Sequence, residues 1–170
     1  MPKLLVLFQS DSPDVVRLAN AAAEGARSVR FAEVDLRRLA DSDGARAPAV
    51  DVDGRVDRAL EQVDDMGTYD GLILAPAREV DGGDALARAL GAVSGSLVNK
   101  VGSALTPATG GDRRAVLWSI LSPMADRGMI LVPAPFSDEG ASDDEPARRL
   151  GKRVAEVIGW VTHARSHHHH

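Results

Sequence analysis

The sequence predicts an α/β protein, a five-stranded parallel sheet in the order 2-1-3-4-5 with helices on both faces. Three observations carry that prediction. Apolar runs of strand length stand at residues 3–9, 69–75 and 129–132, nearly continuous rather than alternating, as strands covered on both faces read. Between such runs lie stretches whose apolar residues recur at helical spacing. Strand and helix signals alternate along the whole chain, which implies right-handed crossovers and a parallel sheet.

In chain order, the first strand leads straight into Ser10, Asp11, Ser12, Pro13 and Asp14. A strand, a hydroxyl-bearing turn and a helix start are where α/β proteins commonly hold a phosphate, because backbone N–H groups and the positive helix end converge there. Val15, Leu18, Ala19, Ala22, Ala23 and Ala26 then stripe a helix to about residue 28. Residues 31–36 alternate apolar and charged side chains, as an edge-like strand would. Residues 40–55 are polar with Gly and Pro and read as a surface excursion, after which Val56, Leu60, Val63 and Met66 suggest a short helix. The strand at 69–75 is stopped by Pro76, and Leu86, Leu90 and Val93 mark the next helix. Residues 100–105 form the fourth strand and run into the loop 106–112. Val116, Leu117, Ile120, Leu121 and Met124 stripe the helix that follows. The last strand, 129–132, is closed by Pro133. An acidic loop at 137–145 precedes a final helix carrying Leu150, Val154, Val157, Ile158 and Val161. Trp118 and Trp160 fall within predicted helices and read as packing residues.

Composition narrows the function classes. The 170 residues are read as one domain, 1–164, followed at 165–170 by a vector-derived His tag. The net charge of −5 and the lack of a Lys/Arg block argue against nucleic acid or an anionic membrane surface as partner. No apolar stretch is long enough for a bilayer, and the N-terminus has no secretory pattern. The absence of cysteine excludes thiolate chemistry, disulfides and Cys-ligated metal, and fits a cytoplasmic protein. His163 is the one histidine outside the tag, so no metal site and no His-based catalytic base is expected, and the catalytic residues are left unassigned.

Several segments match a known family in order and spacing: residues 4–10, 18–26, 69–74, 76–78, 109–111 and 128–133. With these the chain resembles the flavodoxin-like NAD(P)H:quinone oxidoreductases, in the tryptophan-repressor-binding-protein (WrbA) branch. The resemblance implies a flavodoxin-like fold, an FMN cofactor, NAD(P)H and a quinone as substrates, and a homo-oligomer (dimer or tetramer) built on the helices after strands three and four. It also implies FMN contacts in three loops: Ser10, Ser12, Asp14 and Val15 at the phosphate; Pro76, Ala77 and Arg78 after strand three; and Thr106, Ala108, Thr109, Gly110 and Gly111 at the isoalloxazine.

All three loops depart from the family pattern. Where the family opens its first helix with Gly, this chain has Pro13, which offers no N–H and fixes φ. Asp14 then brings a negative charge to the phosphate position, a repulsion of about 1 kcal/mol at 4 Å in water and several-fold more near a protein surface. Losing a charge-assisted N–H bond adds roughly 1.5–3 kcal/mol. Together these weaken FMN by about two to four orders of magnitude. The same residues also make a well-capped helix start, with Ser12 as N-cap, Pro13 at the first position and Asp14 complementing the dipole. In the second loop Ala77 replaces Thr, and Glu79, Val80 and Asp81 replace the ring-contacting aromatic and its neighbours, while Arg78 is kept, as a flavin-carbonyl partner or as a solvated or Glu79-paired loop residue. The third loop is the best preserved, although Pro107 lacks a donor, and it also reads as an ordinary turn capped at Asp112. Asp126-Arg127 stands where the family commonly has His, and Phe136 is the aromatic placed to stack on a ring. Three readings follow: an FMN-dependent quinone oxidoreductase, a flavin-free binding or assembly module on the same scaffold, or a site for a neutral or cationic small molecule held by Asp11, Asp14, Glu79 and Asp81.

Overall fold

The computed structural model describes residues 1–9, 13–39, 51–52, 55–56, 58–59, 63–76, 82–107, 113–133 and 144–167. Its elements are β1 (Lys3–Phe8), α1 (Pro13–Arg27), β2 (Glu33–Arg38), β3 (Asp51–Val52), β4 (Arg55–Val56), β5 (Arg58–Ala59), a 3-10 turn (Val63–Thr68), β6 (Gly71–Ala75), α2 (Gly82–Ala92), β7 (Val101–Ala104), α3 (Arg113–Asp126), β8 (Ile130–Leu131) and α4 (Asp144–Ser166).

The five expected strands lie side by side as β2-β1-β6-β7-β8, all parallel, which is the 2-1-3-4-5 order. A sixth strand, β5, pairs in parallel outside β2 through Arg37↔Arg58 and Arg38↔Ala59. This differs from the short helix expected over Val56 to Met66. Val56 lies in β4, paired antiparallel with β3, and the helical part is confined to the 3-10 turn holding Val63 and buried Met66. The open edge of β2 offers unpaired N–H and C=O groups, and pairing with them satisfies the backbone of β5 in a way a free-standing helical turn would not. Leu60 lies outside the described residues.

Side chains of β1 alternate between two cores, as the pleat dictates. Leu4, Val6 and Phe8 face α1 and α4, whereas Leu5 and Leu7 face α2 and α3. Other boundaries differ modestly from expectation. Phe31 has φ 70° and belongs to the turn before β2 rather than to the strand. Asp144 and Glu145, read as loop, form the first turn of α4, where acids complement the helix dipole. The helix runs on to Ser166, past the domain end expected at residue 164. Trp118 and Trp160 are not packing residues: they are 45% and 67% exposed. The inner face of α3 is already filled by Leu117, Ile120, Leu121 and Met124, and that of α4 by Val154, Ala155 and Ile158. Spacing alone assigns a tryptophan to a helix but not to its inner face.

The tightest packing is between α1 and α4. Ala147, Gly151 and Ala155 recur every fourth residue along α4 against Ala22, Gly25 and Ala26 of α1, all buried. A Cβ on Gly25 would be driven into the carbonyl oxygen of Arg148, and one on Gly151 into that of Ala22, so each glycine lets the two backbones touch. Ion pairs rim the seam: Arg148 Nε to Glu24 Oε2 at 3.1 Å and Arg17 Nε to Asp144 Oδ1 at 3.0 Å.

On the other face, Arg127 explains the residue found where the family has His. Its guanidinium donates to the carbonyls of Leu90, Val93 and Gly95, each at 2.8 Å, and so caps the C-terminal end of α2 from the end of α3. The next residue, Gly128, has φ 75° and closes α3. Its N–H donates to Ala125 O (3.0 Å), and Met129 N–H donates to Met124 O (3.1 Å), the paired bonds of a Schellman cap. Replacing Arg127 by Met keeps the stem and orphans three carbonyls. Urea unfolding should show a loss of about 2–4 kcal/mol, since bonds to charged groups contribute about 1.5–3 kcal/mol each and share one side chain. A loss under about 1 kcal/mol would contradict the capping role.

Candidate functional site

In this topology the chain leaves β1 toward β2 on one side and returns to β6 on the other. The crevice between the C-terminal ends of β1 and β6 is therefore the place where an open α/β sheet binds ligands. The described residues give that edge its floor and one wall.

The wall is the start of α1. Pro13 is its first residue and Asp14 lies in its first turn. The Asp14 carboxylate is 3.9 Å from Arg17 Nη2, and the same guanidinium reaches Asp144 on α4. The negative charge of Asp14 is thus partly compensated by a cation one turn along, a coupling that spacing along α1 allows but that Asp144 completes only across the fold. Val15 is 1% exposed and packs in the α1/α4 core, so its side chain is a core element and only its backbone is available to a phosphate. The floor is formed by the residues that end the strands: Gln9 after β1, buried Pro76 after β6, and Thr106 after β7, 7% exposed. Asp14, Val15, Pro76 and Thr106 are thereby located at one edge of the sheet. Ser10, Ser12, Ala77, Arg78, Ala108, Thr109, Gly110 and Gly111 lie outside the described residues, as do Asp11, Glu79, Asp81, Asp112 and Phe136.

Two residues at this edge escaped the sequence reading. Gln9 donates its N–H to Ala75 O at 3.0 Å, continuing the β1–β6 ladder for one more step. Its side chain therefore follows the alternation of Leu5 and Leu7 onto the α2/α3 face. There its Oε1 is buried without a hydrogen-bond partner among the described residues, and so is Nε of Arg113, the first residue of α3. The available signal was a polar residue ending an otherwise apolar strand; nothing in spacing marks Arg113.

The groups with shifted titration lie elsewhere, at the middle and opposite end of the sheet. Burial pushes the Tyr69 phenol up, helped by its hydrogen bond to Asp35 Oδ2 (2.7 Å). Burial lowers Lys100, whose ammonium donates to the carbonyls of Gly67 and Tyr69. Asp64 is lowered by the N–H of Ser94, 2.9 Å away. These contacts tie strand starts and helix ends together and are structural. Among the described residues no cluster of three or more His, Cys, Asp or Glu is placed to hold a metal ion, and no helix is long and apolar enough to cross a membrane.

The sheet order and the crevice define a flavodoxin-like α/β protein. A diflavin flavoprotein A3 structure from Nostoc sp. superposes with a TM-score of 0.62 at 18% identity, covering 99% of this chain and 98% of that one. Oxidised flavodoxin 2 from Bacillus cereus gives 0.59 at 16% identity, with 91% and 99% covered. Sequence identity carries the assignment further. The chain is 32% identical over 177 residues to NAD(P)H dehydrogenase (quinone) of Syntrophobacter fumaroxidans, covering 96% of this chain and 87% of that protein. It is 33% identical over 147 residues to the protein of the same name from Acidithiobacillus ferrooxidans, covering 81% and 73%. The chain belongs to the NAD(P)H dehydrogenase (quinone) family. No protein-family model matches it.

Proposed function

We propose that this chain is an FMN-dependent NAD(P)H:quinone oxidoreductase of the WrbA branch, acting in the cytoplasm as a homo-oligomer. The observation that carries the reading is the pair of orphaned polar atoms, Gln9 Oε1 and Arg113 Nε, at the one sheet edge where this fold binds ligands. When bound, FMN supplies a two-electron relay between NAD(P)H and a quinone. The protein's part is to bind, orient and exclude water. Ser10, Ser12 and the first-turn amides of α1 would hold the phosphate, Arg78 would meet a carbonyl, and residues 106–111 would line the ring. No side-chain acid or base is required, which accords with the lack of a histidine at this edge. The oligomer face is assigned to α2 and α3, and the half-exposed Trp118 on α3 supports it.

The test is the visible absorption spectrum of the purified protein, followed by an FMN fluorescence-quenching titration and a quinone-reduction assay. Saturable quenching at micromolar FMN, with NAD(P)H-dependent quinone reduction, is the expected result. A colourless protein with no quenching at high FMN would overturn the reading in favour of a flavin-free binding or assembly module. One observation favours that second reading: Pro13 is the opening residue of α1, so the helix lacks a phosphate-facing N–H at its first position.

A further inference from the structure

We infer that Gln9 and Arg113 are two ligand anchors of this crevice, Gln9 for a hydroxyl-bearing chain and Arg113 for the carbonyl edge of a heterocycle. The inference rests on the crevice being a flavin site. Neither residue lies in the three loops that the family resemblance singles out, since Gln9 precedes the first and Arg113 follows the last.

A carboxamide oxygen only accepts hydrogen bonds and a guanidinium only donates them. Gln9 Oε1 and Arg113 Nε are buried and unpartnered among the described residues, each at a cost to the ligand-free protein, and an unsatisfied buried polar atom beside a ligand crevice is a group that a ligand can satisfy. The two stand on the same side of the sheet. Gln9 shares the face of Leu5 and Leu7, and α3, which Arg113 opens, packs its Leu117, Ile120 and Leu121 into the same core. Gln9 follows β1, whereas Arg113 begins the helix after β7, and those two strands stand about 10 Å apart across β6. Buried Pro76, at the end of the intervening β6, leaves an apolar step between them.

The complementary ligand is therefore elongated, with a donor at the Gln9 end, an acceptor at the Arg113 end and a flat apolar middle. The Gln9 end adjoins the turn to α1, where a phosphate would sit. A polyol phosphate joined to a dione heterocycle has these features in this order. A small quinone carries two acceptors and no donor, so it leaves Gln9 Oε1 unsatisfied.

The test uses the full chain with Gln9→Leu and Arg113→Met, titrated with FMN, with riboflavin and with lumiflavin, which lacks the polyol. Gln9→Leu should weaken FMN and riboflavin by about tenfold and leave lumiflavin unchanged. Arg113→Met should weaken all three by about ten- to a hundredfold, and Arg113→Lys, which keeps the charge but loses Nε, should weaken them too. Without ligand, Gln9→Leu and Arg113→Met should each raise the melting temperature by about 2–4 °C, because each removes an orphaned buried atom. A fall in melting temperature with equal weakening of every flavin would overturn the inference, since it would mark both residues as structural. Unchanged affinities in a parent that binds FMN would overturn the inference alone. A parent that binds none of the three would overturn both the inference and the flavin reading.

Discussion

Gly151→Ala is expected to cost the protein about 4 kcal/mol or more, a large share of the 5–15 kcal/mol typical of a native domain. The added methyl would occupy the position of the Ala22 carbonyl oxygen, and a backbone oxygen cannot rotate away as a side chain can. Relief requires α4 to move off α1, which opens the seam of Ala22, Gly25, Ala26, Ala147 and Ala155 along its length and loosens the ion pairs at its rim. The control is built into the same helix. A Cβ on Gly159 would meet nothing within 4 Å, so Gly159→Ala should stabilise the protein by about 0.5–1 kcal/mol through helix propensity alone. Guanidinium unfolding of the two variants separates packing from propensity. If Gly151→Ala lies within about 1 kcal/mol of Gly159→Ala, the close approach of the helices is wrong.

The second large effect concerns the start of α1. Replacing Pro13 by Gly and Asp14 by His should tighten FMN by about a hundredfold or more. The glycine restores an N–H, a charge-assisted bond of about 1.5–3 kcal/mol, or one to two decades of affinity. The histidine removes a carboxylate facing a dianion, about 1 kcal/mol at 4 Å in water and about 4 kcal/mol under surface screening. Arg17, 3.9 Å from that carboxylate, already offsets part of the repulsion, so the gain from Asp14→His alone should fall toward the lower figure. Freed from Asp14, Arg17 still has Asp144 at 3.0 Å and stays anchored to α4. Quenching titrations on the double variant and both single variants would apportion the effect. A double variant that binds no tighter than its parent would mean that Pro13 and Asp14 do not oppose the phosphate.

These two predictions draw on different kinds of information, and the division runs through the whole molecule. The sheet order was legible because strand and helix periods are written in the spacing of apolar residues, and alternating βα units have one favoured handedness. The crevice was legible for the same reason: a parallel sheet in this order has one switch point, beside the C-terminal end of β1. Pro13 as the first residue of α1 followed from local chemistry alone. Where a competing partner lies far along the chain, the sequence was silent. The short helix expected over Val56 to Met66 gave way to β5 because β2 offered an open edge. Trp118 and Trp160 are exposed because the inner faces of their helices were already occupied, which depends on how each helix is rotated against its neighbours.

The amino-acid sequence by itself determined the βα alternation, the buried strands and the residue that opens α1, since each depends on residues within a few positions of one another. Only the tertiary structure decided that Arg127 caps α2 rather than facing the crevice, that Arg17 joins Asp14 to Asp144, that Gly25 and Gly151 let α1 touch α4, and that Gln9 Oε1 and Arg113 Nε are buried without a hydrogen bond among the described residues. The physical reason is common to all four. A hydrogen bond, a charge pair or a steric contact is set by distance in space, and the residues that supply it lie tens of positions or more apart or, for Gln9 Oε1 and Arg113 Nε, are absent among the described residues.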